Sequence, residues 1–150
     1  ERSRGLGDVY KRQISAGLVP DEESEHLRNR PVCVSGIEYT PTKELHKISE
    51  KLDEILHQQE QYTNPLERAV YLHCNIAQLQ PFANKNKHAS RMIESIVLMN
   101  ADIIPVYSLR ETDILNYKKG VLFFCETGEY SLYADYFLNR QIERIKEIEE

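Results

Sequence analysis

The sequence predicts a mainly α fold, a helical bundle interrupted by one short β-hairpin. Three observations carry that expectation. Apolar residues recur at helical spacing along most of the 150-residue chain, glycine is scarce at 6 residues, and a single short stretch alternates with the period of a strand. With 41% apolar and 29% charged residues, the composition suits one globular domain with its own core. No run approaches the ~18 apolar residues of a membrane-crossing helix. A net charge of −5 argues against direct contact with nucleic acid, whose partners carry excess positive charge.

The elements follow in order. Residues 1–13, "ERSRGLGDVYKRQ", differ in character from the rest and read as translated adapter or vector sequence. The domain is then expected over 14–150, with an earlier piece missing. In "SAGLVPDEESEHLRN", Pro20 followed by Asp21, Glu22 and Glu23 marks a helix start with acids in its first turn. "RPVCVSGIEYTP" alternates twice, at Val32 and Val34 and again at Ile37 and Tyr39, around a Ser35–Gly36 turn. That pattern predicts a hairpin flap rather than a sheet.

From Thr42 to Gln59, Leu45, Ile48, Leu52, Ile55 and Leu56 form one helical face. The next helix opens at "NPLE", with Asn64 as N-cap, Pro65 as first residue and Glu67 at the capping-box position. Its inward face is Leu66, Ala69, Val70, His73, Ile76 and Ala77, which makes His73 a satisfied core histidine. Pro81 stops it, and a further helix turns Met92, Ile93, Ile96, Val97 and Met99 inward until Pro105. "RETDILNYKKGVLFFCE" and "EYSLYADYFLNRQIERIKEIEE" supply the last two helices.

Cys33, Cys74 and Cys125 are odd in number and show no C-x-x-C spacing, so reduced thiols in a cytoplasmic protein are expected. His73 and Cys74 are adjacent and would leave a helix in different directions, which disfavours a zinc site.

Chemistry concentrates in "LQPFANKNKHASRM", residues 79–92. Lys85, Lys87, His88 and Arg91 crowd a helix start with no carboxylate among them. Free backbone N–H groups and the helix dipole at such an end bind anions. A solvated basic helix start in an acidic protein is the alternative reading of the same residues.

This stretch resembles the signature of the Fic (Fic/Doc, or Fido) family, H-P-F-x-[DEN]-G-N-[GK]-R-x-x-R. The match is at Pro81, Phe82, Asn84, Asn86, Lys87 and Arg91. "ERAVYLHCNIAQL" and "RMIESIVLMNADIIPV" are similar to the helices that flank the family's motif. "LRNRPVCVSGIEYTP" is similar to its flap. The resemblance implies a Fic-type helical bundle that transfers AMP from Mg-ATP to a hydroxyl of a target protein. Asn84 stands at the Mg²⁺ position, while Lys85, Asn86, Lys87, His88 and Arg91 line the nucleotide phosphates. The flap, Val32, Cys33, Val34, Ser35, Gly36, Ile37, Glu38 and Tyr39, would dock an extended stretch of the target by strand addition.

Three positions depart from that pattern. Gln80 replaces the histidine general base, and a carboxamide does not titrate near neutral pH. Lys85 replaces a glycine, with a steric cost if the backbone there has positive φ. His88 replaces an arginine and loses its bidentate grip on phosphate. The family's inhibitory [ST]-x-x-x-E-[GN] motif has no counterpart, since no Glu here precedes Gly or Asn. The expectation is therefore a Fic-like domain with weak or lost transfer. A catalytically inactive nucleotide- or protein-binding module is the alternative, and a kinase-like variant with inverted ATP is a third reading.

Overall fold

In the computed structural model the described residues are 27–29, 31–34 and 36–149. The expected opening helix at Pro20–Glu23, the 1–13 segment and Ser35 lie outside them. Among the described residues there are five α-helices: α1 (Leu45–Gln58), α2 (Pro65–Leu79), α3 (Asn86–Asn100), α4 (Glu111–Thr127) and α5 (Ser131–Glu149). A 3₁₀ turn, Gln59–Gln61, follows α1 directly. No helix among the described residues is long and apolar enough to cross a membrane.

The centre is α2. Its start is set as the sequence predicts: Asn64 accepts hydrogen bonds from the Leu66 N–H (2.8 Å) and the Glu67 N–H (3.4 Å), and Pro65 needs no partner. Ala69, Leu72, His73, Cys74 and Ile76 are fully buried on different sides of the helix. A helix buried on nearly every face must be surrounded, and α1, α3, α4 and α5 all pack on it. From α1 come Ile48, Leu52, Ile55 and Leu56, the face its spacing predicts, except that Leu45 is exposed. From α3 come Ile93, Val97 and Leu98. Met99, expected inward, is 57% exposed, because it lies one residue, about 100° round the helix, past the buried Leu98.

Helices α4 and α5 form a tight antiparallel pair. Gly128 ends α4 in the left-handed conformation (φ +77°), where glycine carries no steric penalty. Gly120 sets the spacing: a β-carbon there would sit 2.7 Å from the Tyr133 Cα.

The flap differs from expectation. Among the described residues no strand forms between 31 and 44; Gly36 (φ +92°) opens a turn that bends through Ile37 and Glu38. Two three-residue arms with no third strand are too short to hold a ladder unaided. Side chains anchor the segment instead. Val34 is buried, Ile37 and Tyr39 pack on the core, and the Tyr39 hydroxyl donates to the Gln78 carbonyl at 2.9 Å. The alternation of Val32, Val34, Ile37 and Tyr39 records that anchoring rather than a ladder.

Candidate active site

Two left-handed residues bracket the loop between α2 and α3. Gln80 (φ +51°, ψ +60°) ends α2, and Lys85 (φ +57°, ψ +31°) precedes α3. Both conformations cost a non-glycine residue roughly 1–2 kcal/mol, so neighbouring contacts must hold them. At Gln80 those contacts are present. Its side-chain amide donates to the Ala77 carbonyl at 2.7 Å, and its Oε1 accepts from Asn86 Nδ2 at 3.2 Å. At Lys85 no side-chain cap forms, and the positive φ that makes glycine the favoured residue is observed.

Asn86 is the staple of the loop. Its Oδ1 accepts from the Phe82 N–H at 2.9 Å, and its Nδ2 donates back to the Phe82 carbonyl at 2.9 Å. Phe82, 3% exposed, pins the loop into the core. The side chain of Asn86 is thus engaged within the loop, and what it presents outward is the first turn of α3.

Arg28 ties the flap side to this loop, a part that sequence reasoning missed. It is buried, and its guanidinium donates to the carbonyls of Thr42 (2.6 Å), Leu79 (3.2 Å) and Gln80. Its backbone N–H also donates to the Pro81 carbonyl at 2.9 Å. The end of α2 leaves carbonyls without helical partners, and a cation is the fitting donor there. Burial lowers the Arg28 pKa, with Tyr39 opposing. Nothing in "LRNR" distinguishes Arg28 from Arg30 by pattern.

These elements enclose a cleft of about 370 Å³ lined by Val32, Cys33, Val34, Gln80, Ala83, Asn84, Lys85, Asn86, Lys87 and His88. The motif loop and residues 32–34, more than forty positions apart in the chain, therefore meet. Gly36, Ile37, Glu38 and Tyr39 lie outside the cleft lining. So does Arg91, which lines a second cavity of about 400 Å³ with its guanidinium 5.9 Å from the Tyr117 ring centroid. Lys87 lines both spaces. Burial, and then the charges of Lys118 and Arg91, lower its pKa.

Beneath α3 lies a polar cluster with no opening of its own on the cleft. His73, fully buried, places Nε2 3.0 Å from the Tyr117 hydroxyl and Nδ1 3.5 Å from Glu94. The Tyr133 hydroxyl donates to Glu94 at 2.6 Å, and the Tyr133 ring stacks on His73. Burial pushes the Tyr117 and Tyr133 hydroxyls well above their ordinary pKa, so both stay protonated donors. His73 is a core histidine, and His46 and His57 are exposed on α1, as the sequence predicts. Cys74 and Cys125 are buried free thiols, while Cys33 is exposed in the cleft.

The donor set also bears on metal binding. Among the described residues no carboxylate lines the cleft, and no three His, Cys, Asp or Glu side chains cluster. Asn84 offers one neutral oxygen, short of the one or two carboxylates with which proteins hold Mg²⁺ alongside substrate phosphates. The residues present do not lodge the ion on their own.

A cation-rich loop between two packed helices, faced by the 32–34 segment, is the class of site. The Fic/DOC family model matches residues 7–98, and the chain belongs to that family. Solved structures agree in fold. A Fic family protein from Desulfovibrio desulfuricans G20 superposes with a TM-score of 0.74 at 14% identity, over 99% of this chain and 53% of that one. Two structures of Fic-1 from C. elegans both give a TM-score of 0.63. One, at 18% identity, covers 84% of this chain and 37% of its own; the other, at 16%, covers 97% and 49%. The chain thus spans about half the length of these structures or less. No curated protein matches it.

Proposed function

We propose that this domain binds ATP in the cleft between the motif loop and the flap, and transfers AMP to a target-protein hydroxyl only weakly. The observation that supports this is the convergence of loop and flap residues on one cleft beside the first turn of α3. The phosphates would face the N–H groups of that turn, with Lys87 adding positive charge. The extended Val32–Cys33 stretch, with Cys33 exposed, would lie alongside an extended segment of the target. Mg²⁺ would arrive with the phosphates rather than be held by the cleft, whose lining offers it one neutral donor, Asn84. The free thiols fit a reducing compartment, the cytoplasm.

In the transfer, the acceptor oxygen attacks the α-phosphorus while the bond to the β-phosphate oxygen breaks, and pyrophosphate leaves with the electron pair. The acceptor proton needs a base. Gln80 cannot be one, and its carboxamide is in addition engaged by Ala77 and Asn86. Loss of a general base costs about 10²–10⁴ in rate, leaving what positioning alone supplies. The same engaged carboxamide supports a second reading, a module that binds nucleotide or partner without transfer.

Calorimetric titration with Mg-ATP, alongside incubation with α-labelled ATP, tests this. Saturable binding with slow labelling is expected. A folded protein that gives no binding heat overturns both readings. Binding with no label at all selects the second.

A further inference from the structure

We infer that Lys118, from outside the motif, is a further phosphate-binding residue, which joins the motif cations Lys87 and Arg91 in a polyphosphate subsite on the second cavity. Lys87 lines both spaces; Arg91, one turn further along α3, and Lys118, from α4, line the second with it. The occupant follows from the nucleotide reading of the cleft: a condensed phosphate chain, the β and γ end of a nucleoside triphosphate.

The charge balance of the cavity sets these three apart. Arg140, the remaining cation on its wall, is paired with Asp113 at 3.0 Å and with Glu143. Among the described residues, Lys87, Arg91 and Lys118 have no carboxylate within ion-pair distance. The cavity's acidic residue, Glu94, is 3% exposed and turned inward to Tyr133 and His73. Three like charges on one wall repel one another, and the depressed Lys87 pKa is a sign of that repulsion added to burial. A single-charge anion would offset one of them. A di- or triphosphate carries enough charge for all three, and its spaced oxygens suit donors from two helices. The Tyr107 and Tyr117 side chains on the same wall keep water from part of the space, which strengthens each charge contact.

The full chain is titrated calorimetrically with orthophosphate, pyrophosphate and tripolyphosphate, in wild type, Lys118→Ala and Lys119→Ala. Lys119 is the matched control, an exposed neighbour on α4 that does not line the cavity. Affinity is expected to climb in that order of ligands. Lys118→Ala is expected to weaken tripolyphosphate about tenfold, the scale of one charge-assisted contact, and Lys119→Ala less than about twofold. Tripolyphosphate binding no tighter than orthophosphate, or equal weakening by both substitutions, overturns the subsite. ATP as a further ligand separates it from the nucleotide reading. Tripolyphosphate bound but ATP refused leaves the subsite standing and removes the nucleotide reading. ATP bound equally by wild type and Lys118→Ala does the reverse.

Discussion

The loop over α3 and the cluster beneath it are both polar, and they are built in opposite ways. Beneath α3, His73, Glu94, Tyr117 and Tyr133 are buried against one another and joined by hydrogen bonds between His73 Nε2 and Tyr117 and from Tyr133 to Glu94, while His73 Nδ1 keeps only a 3.5 Å approach to Glu94. On the loop, two non-glycine residues sit in left-handed conformations, and Lys85 and Lys87 face the cleft without an acidic partner. Buried polar groups must find partners within the protein. Groups on a cleft wall can leave theirs to a ligand.

That contrast is open to breaking, and substitutions under the helix are expected to cost most. Gly120→Ala drives a β-carbon into the Tyr133 backbone and so disturbs α4 and α5, the helices that carry Tyr117 and Tyr133. A loss of about 3 kcal/mol is expected, the upper end for overpacking, read as a lower denaturant midpoint. An unchanged midpoint would show that α4 and α5 yield more easily than their spacing implies.

Arg28→Met keeps the bulk and removes the donors to Thr42, Leu79 and Gln80. About 2 kcal/mol is expected, since the carbonyls at the end of α2 lose a charged partner. Limited proteolysis near the flap should speed up in step, because the same side chain holds the flap base.

Lys85→Gly reverses the sign. Glycine adopts φ +57° without the penalty, and a gain of about 0.5–1 kcal/mol remains after its greater unfolded freedom is counted. A loss would mean that Lys85 contributes to the loop in a way its backbone does not reveal.

The smallest effect lies at Asp113, at the far rim of the second cavity. The Ser108 hydroxyl, and then Arg110 and Arg140, hold its carboxyl below the ordinary 3.8 against the opposing effect of burial. A depressed folded pKa gives stability that is present above 3.8 and lost as pH falls through the lower folded value. Asp113→Asn should flatten that acid limb of the melting curve, by less than about 1 kcal/mol.

How much of this was legible in the sequence divides along the same line. Helix spacing in α1 and α2 named Ile48, Leu52, Ala69 and His73 as core because amphipathic periodicity is a direct image of burial. The motif loop was legible through its resemblance, down to the positive φ at Lys85. The flap was read as a hairpin because alternation reports which side chains face inward, and it does so with or without a ladder. Arg28 and Lys118 were missed for a related reason. Each acts across a gap of tens of residues on partners that no local pattern marks, and Arg28 acts on backbone carbonyls that every residue carries.

The central claim is that the loop holds a nucleotide but lacks the means to transfer it, and the triple substitution Gln80→His, Lys85→Gly, His88→Arg addresses it most directly. Histidine is among the residues that tolerate the left-handed backbone at position 80, so the change restores a titrating base without remodelling the turn. Incorporation of label from α-labelled ATP should rise about 10²-fold or more over wild type, within the range attributed to a general base. A folded triple variant that binds ATP yet labels no faster than wild type would contradict the account.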